Sequence, residues 1–386
     1  MVKRFNGGIM SANTLSVSAT SASGFFNSSS QMQYKQAGVW PAQYNRTPTI
    51  DYLVVAGGGA GGGWAYDGGG GGGGGLLTAT GTSVTAGTIT VTVGAGGTYT
   101  LNTISNGTNS VITGAGISTT TALGGGGGSS FNGSSYINGG NGGSGGGGGG
   151  TGIGGTGTVG PPRQGYNGGN GAQGSRNGGG GGGGASQAGA NGVVSSNGGK
   201  GGDGLISTLP VTVTSTSSND ISAGTKTFTV ASGLPYVAGQ ALRAYASASN
   251  YMYGTVNSYS GTTLSFNCSS FVGSGVNVSW TIDYMFSGGG GGSTEQAVWP
   301  GGAGGGGGGG LGGGSNQGFT AGATNSGGGA GGGHSSSGVN GGSGIVIIRY
   351  PSSYTTAFST TGSPTFYVAS GYNVYMFTSS GSLTFL

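Results

Sequence analysis

Residues 50–63 read IDYLVVAGGGAGGG. The first seven are apolar or β-branched apart from Asp51, which predicts a buried strand, and the chain then runs straight into glycine. A Gly-rich turn after a strand is the setting of a dinucleotide site only when a helix follows, and here another Gly run follows instead. In this composition GxGxxG recurs many times and carries no information. A mate for the strand stands near the other end, GIVIIRY at 344–350. The two strands, 52–56 and 345–349, are expected to pair and close one domain around a Gly-rich interior.

That interior is not built like a linker. The chain has 386 residues, 105 of them Gly, yet only 4% are charged and 33% are apolar. Disordered segments stay in solution through high charge and low hydrophobicity, the opposite balance. With no G-X-Y period and only 9 Pro, collagen is excluded as well. Gly runs recur at 68–75, 124–128, 145–150, 178–184, 288–292, 304–310 and 331–333, separated by bends such as WAYD (64–67), GPPRQGYN (160–167) and AVWP (297–300). Run, bend, run is the layout of rods joined by turns.

Extended Gly in the left-handed polyproline II form rises ~3.1 Å per residue and makes no internal hydrogen bonds, so its N–H and C=O groups point outward in three directions. Packed side by side, such rods can bond several neighbours at once. Fixing a backbone costs roughly 1–2 kcal/mol per residue, whereas one net hydrogen bond returns about 0.5–1.5 kcal/mol, so the lattice needs apolar help. The flanking strands and the bend aromatics supply it. Residues 301–314, GGAGGGGGGGLGGG, read as one rod, with 304–310 spanning roughly 22 Å and with Ala303 and Leu311 marking an edge or an apolar contact.

The predicted fold class is mostly β with packed polyglycine II helices and almost no α-helix apart from one short N-terminal helix. Four regions are expected. Residues 1–49 form an arm, in which Ser28 and Gln31 make a capping box, 31–37 suit a helix, and Gly38 and Pro41 end it. Residues 50–210 and 283–351 form the polyglycine-helix domain, with further strands at 87–93 and 111–113. Residues 211–282 form an inserted β module of TKTFTV, ALRAY, YMYGTV, TTLSF and VSWTI, and 352–386 a C-terminal β segment of three strands.

Catalytic chemistry has little support. His334 is the only histidine, and the six carboxylates, Asp51, Asp67, Asp203, Asp220, Asp283 and Glu295, fall into no short motif. No enzyme activity, cofactor or metal is expected. Cys268 reads as a small buried hydrophobe in a strand. The 10 basic residues are scattered singly, so no nucleic-acid surface is expected. No stretch approaches the ~20 apolar residues of a membrane span, and no signal-peptide core follows the early charges.

Bends rich in Asn, Ser, Tyr and Trp suit recognition, because such side chains stack and hydrogen-bond at low entropic cost. The candidates are Trp64, Tyr66, Tyr136, Arg163, Tyr166 and Trp299; the plainer alternative is that they are ordinary polar turns.

Several segments in order, DYLVVAGGGAGGG (51–63), TVTVGAGG (90–97), SSFNGS (129–134) and GGSGIVIIRYP (341–351), resemble the glycine-rich domain of tailed-bacteriophage fibre and adhesin proteins. SASGFFNSSSQMQYKQAGVWP (21–41) is similar to the N-terminal region of such virion proteins, and residues 230–266 to a small β module recurrent in phage fibres. The resemblance implies a virion protein, assembled in the host cytoplasm and exposed on the particle. It implies a homotrimer whose arm meets other virion proteins, with Phe25, Phe26, Tyr34 and Trp40 as attachment candidates. The exposed loops would meet a host-surface glycan or outer-membrane protein. Two alternatives stay open: a purely structural capsid or neck fibre, and an ice-binding or extracellular matrix protein, which would need a flat, regular face of short residues.

Overall fold

The computed structural model describes residues 48–63, 67–173, 178–209, 211–294, 299–314, 318–334 and 337–385, together with the backbone of β1 (Ser16–Val17) and β2 (Ala22–Ser23), an antiparallel pair. The helix expected at 31–37 lies outside the described residues, and among the described residues none is helical. The protein is all-β, with polyglycine rods between the strands.

The two apolar runs do pair. β3 (Thr49–Val55) lies antiparallel to β17 (Ile345–Pro351), Val55 opposite Ile345 and Asp51 opposite Arg349. With β4 (Leu76–Ser83), β19 (Thr365–Ala369) and β20 (Tyr372–Phe377) they form a five-stranded sheet ordered β19-β20-β17-β3-β4. Most antiparallel sheets alternate because one face meets water. This one is covered on both faces, which is why IDYLVV and IVII do not alternate. Ile50, Tyr52, Val54, Val346 and Ile348 enter one core, while Leu53, Val55, Ile345 and Ile347 enter the other.

A second five-stranded sheet covers the first of these faces. Its order is β18-β21-β5-β6-β7, from β5 (Gly87–Thr92), β6 (Ser110–Gly114), β7 (Ile117–Ala122), β18 (Ser359–Thr361) and β21 (Gly381–Phe385). Ile89, Val91, Ile112, Leu383 and Phe385 point inward. The inserted module covers the other face. Its strands are β8 (Leu205–Ser207), β9 (Val213–Ser215), β11 (Gly224–Thr229), β12 (Ala241–Ser247), β13 (Asn250–Ser260), β14 (Thr263–Val272) and β16 (Trp280–Phe286), with a small ribbon of β10 (Asn219–Asp220) and β15 (Val276–Asn277). β8 and the end of β16 fall outside 211–282, because the apolar run from Trp280 continues to Phe286, where it pairs with β8. Phe228, Phe266, Trp280 and Tyr284 fill this core, and Cys268 is buried among them. Three β layers therefore make one body.

Charges in this body are few and matched. Arg349 Nε lies 3.0 Å from Asp51 Oδ2, and Arg243 Nη2 2.7 Å from the buried Asp283 Oδ2 across strands β12 and β16. Lys226 meets Asp220 at 2.7 Å.

The Gly runs leave this body as rods. In residues 68–75 the N–H groups cycle through three acceptors with a period of three: 69, 72 and 75 donate to Ser129, Gly126 and Leu123; 70 and 73 to Gly180 and Gly183; 71 and 74 to Ala330 and Gly327. The carbonyls repeat the cycle toward three other rods. Those of 69, 72 and 75 accept from Gly62, Gly59 and Ala56; those of 70 and 73 from Gly147 and Ser144; those of 68 and 71 from Ser293 and Gly290. One rod thus has six bonded neighbours, the geometry of a hexagonal lattice of three-fold helices. Rods 178–184 and 287–294 follow the same rule. None of residues 68–75 has a positive φ, so glycine is needed there for space and not for backbone freedom. A Cβ on any of 68–74 would stand 2.0–2.4 Å from a carbonyl oxygen of a neighbouring rod.

Rods at the rim lack one neighbour, and asparagine replaces it. Asn106 and Asn109 accept the N–H groups of Gly127 and Gly124; Asn138 and Asn141 those of Ile153 and Thr156; Asn167 and Asn170 those of Gly157 and Gly154. Each pair is spaced by three, the period of the helix, so both side chains stand on one face. Residues 301–314 are two rods and not one. The chain reverses at Gly307 and Gly308, both at φ 95°, and Gly312 then donates back to Gly302 at 2.9 Å. The seven-residue span expected for 304–310 is therefore halved. Ala303 is exposed and Leu311 half-buried on the outer rods.

Two tests follow from packing and burial. Gly71→Ala drives a methyl to 2.2 Å from the Gly59 oxygen, whereas at Gly160 no atom lies within 4 Å of the added carbon. Denaturant titration should show a loss of about 3 kcal/mol for Gly71→Ala and under about 0.5 kcal/mol for Gly160→Ala. Burial also raises the hydroxyls of Tyr236, Tyr284, Tyr350 and Tyr367 above their ordinary value, and pushes Tyr253 up from 10.0 to about 12. A raised folded value means the unfolded chain ionises first, so this contribution to stability is complete below the unfolded value and is lost as pH rises. The thermal midpoint should hold steady up to about pH 9 and fall from about pH 10 upward.

Candidate functional site

The lattice has two unlike ends. At one, rods pass directly into strands, as at 55–56, 75–76, 122–123, 286–287 and 344–345. At the other, among the described residues, no strand begins or ends a rod. That free end is defined by register: Gly69 bonds Ser129, Ser293 bonds Gly68, Gly179 bonds Ser293, and Thr294 bonds Gly313, so these residues share a level.

Two of the six sequence candidates stand among the described residues of this end. Tyr136 closes a hairpin with Phe131, the rings edge to face at 5.1 Å. Its turn is set by Asn132, whose Oδ1 accepts the N–H groups of Ser134 and Ser135, and by Gly133 at φ 93°. Tyr136 donates to Asp67 Oδ2 at 3.4 Å, and its ring lies on Gly150, where a Cβ would come within 2.2 Å of Cε2. Trp299 is half-buried, and its carbonyl accepts the Thr294 hydroxyl at 3.0 Å. Trp64 and Tyr66 lie outside the described residues, in the connection between Gly63 and Asp67. The arm candidates Phe25, Phe26, Tyr34 and Trp40 also lie outside them.

Arg163 and Tyr166 belong to the other end. Tyr166 exchanges backbone bonds with Gly184 and Gly145, at the level where rods meet the β body. The Arg163 guanidinium sits 4.4 Å over the Tyr166 ring, and Gln164 between them bonds Leu123 and Thr121 at the end of β7. The six candidates therefore do not form one surface.

Sequence reasoning missed Tyr99, Phe319 and His334, which join Tyr136 and Trp299 at the free end. Phe319 and His334 meet edge to face at 5.8 Å. Tyr99, whose hydroxyl burial pushes up, lies against Gly63 and Gly338, and Asn340 accepts its N–H at 2.8 Å. A signal was present: Tyr99, Phe131 and His334, like Trp64, come within three residues of the end of a Gly run. The resulting set can stack and hydrogen-bond on a backbone that the lattice holds still.

Residues 35–351 match the glycine-rich domain family. No curated protein and no solved structure matches the chain. The matched residues include the described lattice and the β3–β17 pair that closes it. Since the match takes in most of the sequence, the chain belongs to the glycine-rich domain family.

Proposed function

We propose that the chain is a virion structural protein of a tailed bacteriophage, a fibre or adhesin that presents its free-end bends to a host surface. The observation that supports this reading is the gathering of Tyr99, Phe131, Tyr136, Trp299, Phe319 and His334 at the one end of the lattice that, among the described residues, carries no sheet. Aromatic and short polar side chains on a rigid support bind with little ordering cost. Their partner is a host glycan or outer-membrane protein, which offers the C–H faces and hydroxyl or amide groups these residues recognise. The protein assembles as a homotrimer, attached to other virion proteins through residues 1–49. Rods that need nothing from the bends let recognition change while the support stays fixed.

A second reading, ice binding, is favoured by the outer face of the β5-containing sheet. Thr361, Ser382, Thr90, Thr113 and Thr119 form one row across its five strands, by register and by the hydroxyl contact of Thr113 with Thr119 at 2.8 Å. Thr88 meets Thr384 at 3.0 Å in the next row, and none of the five strands carries a charge. Hydroxyls repeat every ~6.7 Å along and ~4.8 Å across such a sheet, a regular array for ordered water. The reading ranks second because sheet twist, about 20–25° per strand pair, limits the flat area.

Fluorescently labelled protein and a panel of bacterial isolates test the first reading. The pair Tyr136→Ala and Trp299→Ala should weaken cell binding by roughly thirtyfold, an effect of about 2 kcal/mol, while Arg163→Ala at the far end leaves it unchanged. Equal binding by all variants removes the free end from recognition. Ice-growth microscopy tests the second: shaped or slowed crystals, lost on Thr90→Lys with Thr113→Lys, support it, and normal growth with the unaltered chain ends it.

A further inference from the structure

A groove of about 610 Å³ runs between the module and the outermost rods, away from the free end. Its volume falls within the ordinary range of small-ligand sites, roughly 300–1,000 Å³. One wall is the outer face of β13 and β14, with Tyr253, Thr255, Asn267, Ser269 and Ser270; the other is the reversal at 303–309, with Leu311 and Thr320 beside it.

The wall on the module is shaped by a bulge. Tyr253 pairs with Ser270 but Gly254 pairs with Cys268, so Ser269 is an extra residue on β14. Bulges re-aim side chains and recur next to binding sites. Gly254 is required there, since a Cβ would fall 2.0 Å from the Asn267 carbonyl. Tyr253 rests against Gly306, whose N–H is in turn held by Asp203 Oδ1 at 2.9 Å. Ring and rod fix each other.

The lining has spare hydrogen-bonding capacity and no charge. Among the described residues the Asn267 amide, the Thr255 and Ser270 hydroxyls, and both the N–H and C=O of Gly304 take no protein partner. No cation lines the groove for an anion, since Arg243, opposite Tyr253, is held by Asp283, and an aliphatic ligand would leave these polar groups dry and unpaired. A neutral sugar offers apolar C–H faces for Tyr253 and hydroxyls for the amide, the hydroxyls and the bare backbone.

We infer that this groove binds a neutral oligosaccharide, held between the Tyr253–Asn267 wall and the half-buried, unbonded Gly304 backbone. The site is separate from the free-end bends and does not depend on the reading given above.

Isothermal titration of the full chain with maltohexaose, chitohexaose and a mannan oligosaccharide, and with sialylated and sulfated oligosaccharides, tests it. At least one neutral probe should bind. Asn267→Ala and Thr255→Val should each weaken that binding roughly three- to tenfold, with thermal midpoints unchanged, and Gly160→Ala should have no effect. The inference is overturned if no neutral probe binds, if the acidic probes bind more tightly, or if the groove variants bind like the unaltered chain. Loss of binding on Trp299→Ala alone would move the sugar to the free end and also overturn it.

Discussion

Everything in this molecule depends on how closely two backbones can approach when neither carries a Cβ. From Gly69 to Gly75 every N–H finds its acceptor on another rod, at 2.7–3.1 Å, and none within its own. An α-helix settles its backbone locally and a strand needs at most two partners, whereas this rod needs six. The rods have no local hydrogen bond to form first. They can order only when neighbours distant in sequence are already in place, and the pairing of Val55 with Ile345 is what brings the two ends of the lattice together. Such long closures cost entropy before any contact returns it. The apolar layers on both faces of the central sheet supply the driving force for that closure.

The same division explains the near-absence of charge. Interior rods carry only glycine and the small Ala or Ser, as at Ala60, Ala330 and Ser293, and the β layers sit so close together that a charge must bring its partner with it. Arg243 does so with Asp283, which also accepts the Thr212 hydroxyl at 3.1 Å, and Arg349 with Asp51 while also stacking over Tyr372 at 4.4 Å. Elsewhere neutral groups do the polar work. Asparagine does most of it at the rim, because its amide oxygen accepts an N–H as a neighbouring rod's carbonyl would.

The strand pair, the rod lattice and the burial of Cys268 were legible in the sequence, because apolar runs and uninterrupted glycine leave few other physical solutions. The reversal inside 301–314 was not. Glycine is demanded both where a Cβ would strike a neighbour, as at Gly305, and where φ turns positive, as at Gly307, and the letter is the same in both cases. That hidden turn, with another at Gly143 and Ser144, also hid which end each bend occupies. Rods alternate in direction, so the end reached by Arg163 follows only from counting every reversal before it. The rim could have been read: N-G-T-N at 106–109 and N-G-G-N at 138–141 and 167–170 repeat a polar residue at the helix period of three.

Beyond the small Ala and Ser that the rods admit, such as the buried Ala60, Ala330 and Ser293, a side chain has three kinds of place in such a structure: a strand, the outward third of a rim rod, or a bend. Inward strand positions are committed to three packed layers, and the rim asparagines to the N–H groups they complete. Bends at the free end are bound by neither demand. The hairpin 131–136 folds through its own Asn132 and Gly133, and its ring contact with Gly150 is a contact with another bend. Substitution there leaves all six partners of rod 68–75 untouched. The lattice thus separates the residues that make the protein rigid from those that can make it specific, and it does so because glycine, having no side chain, can contribute only to the first.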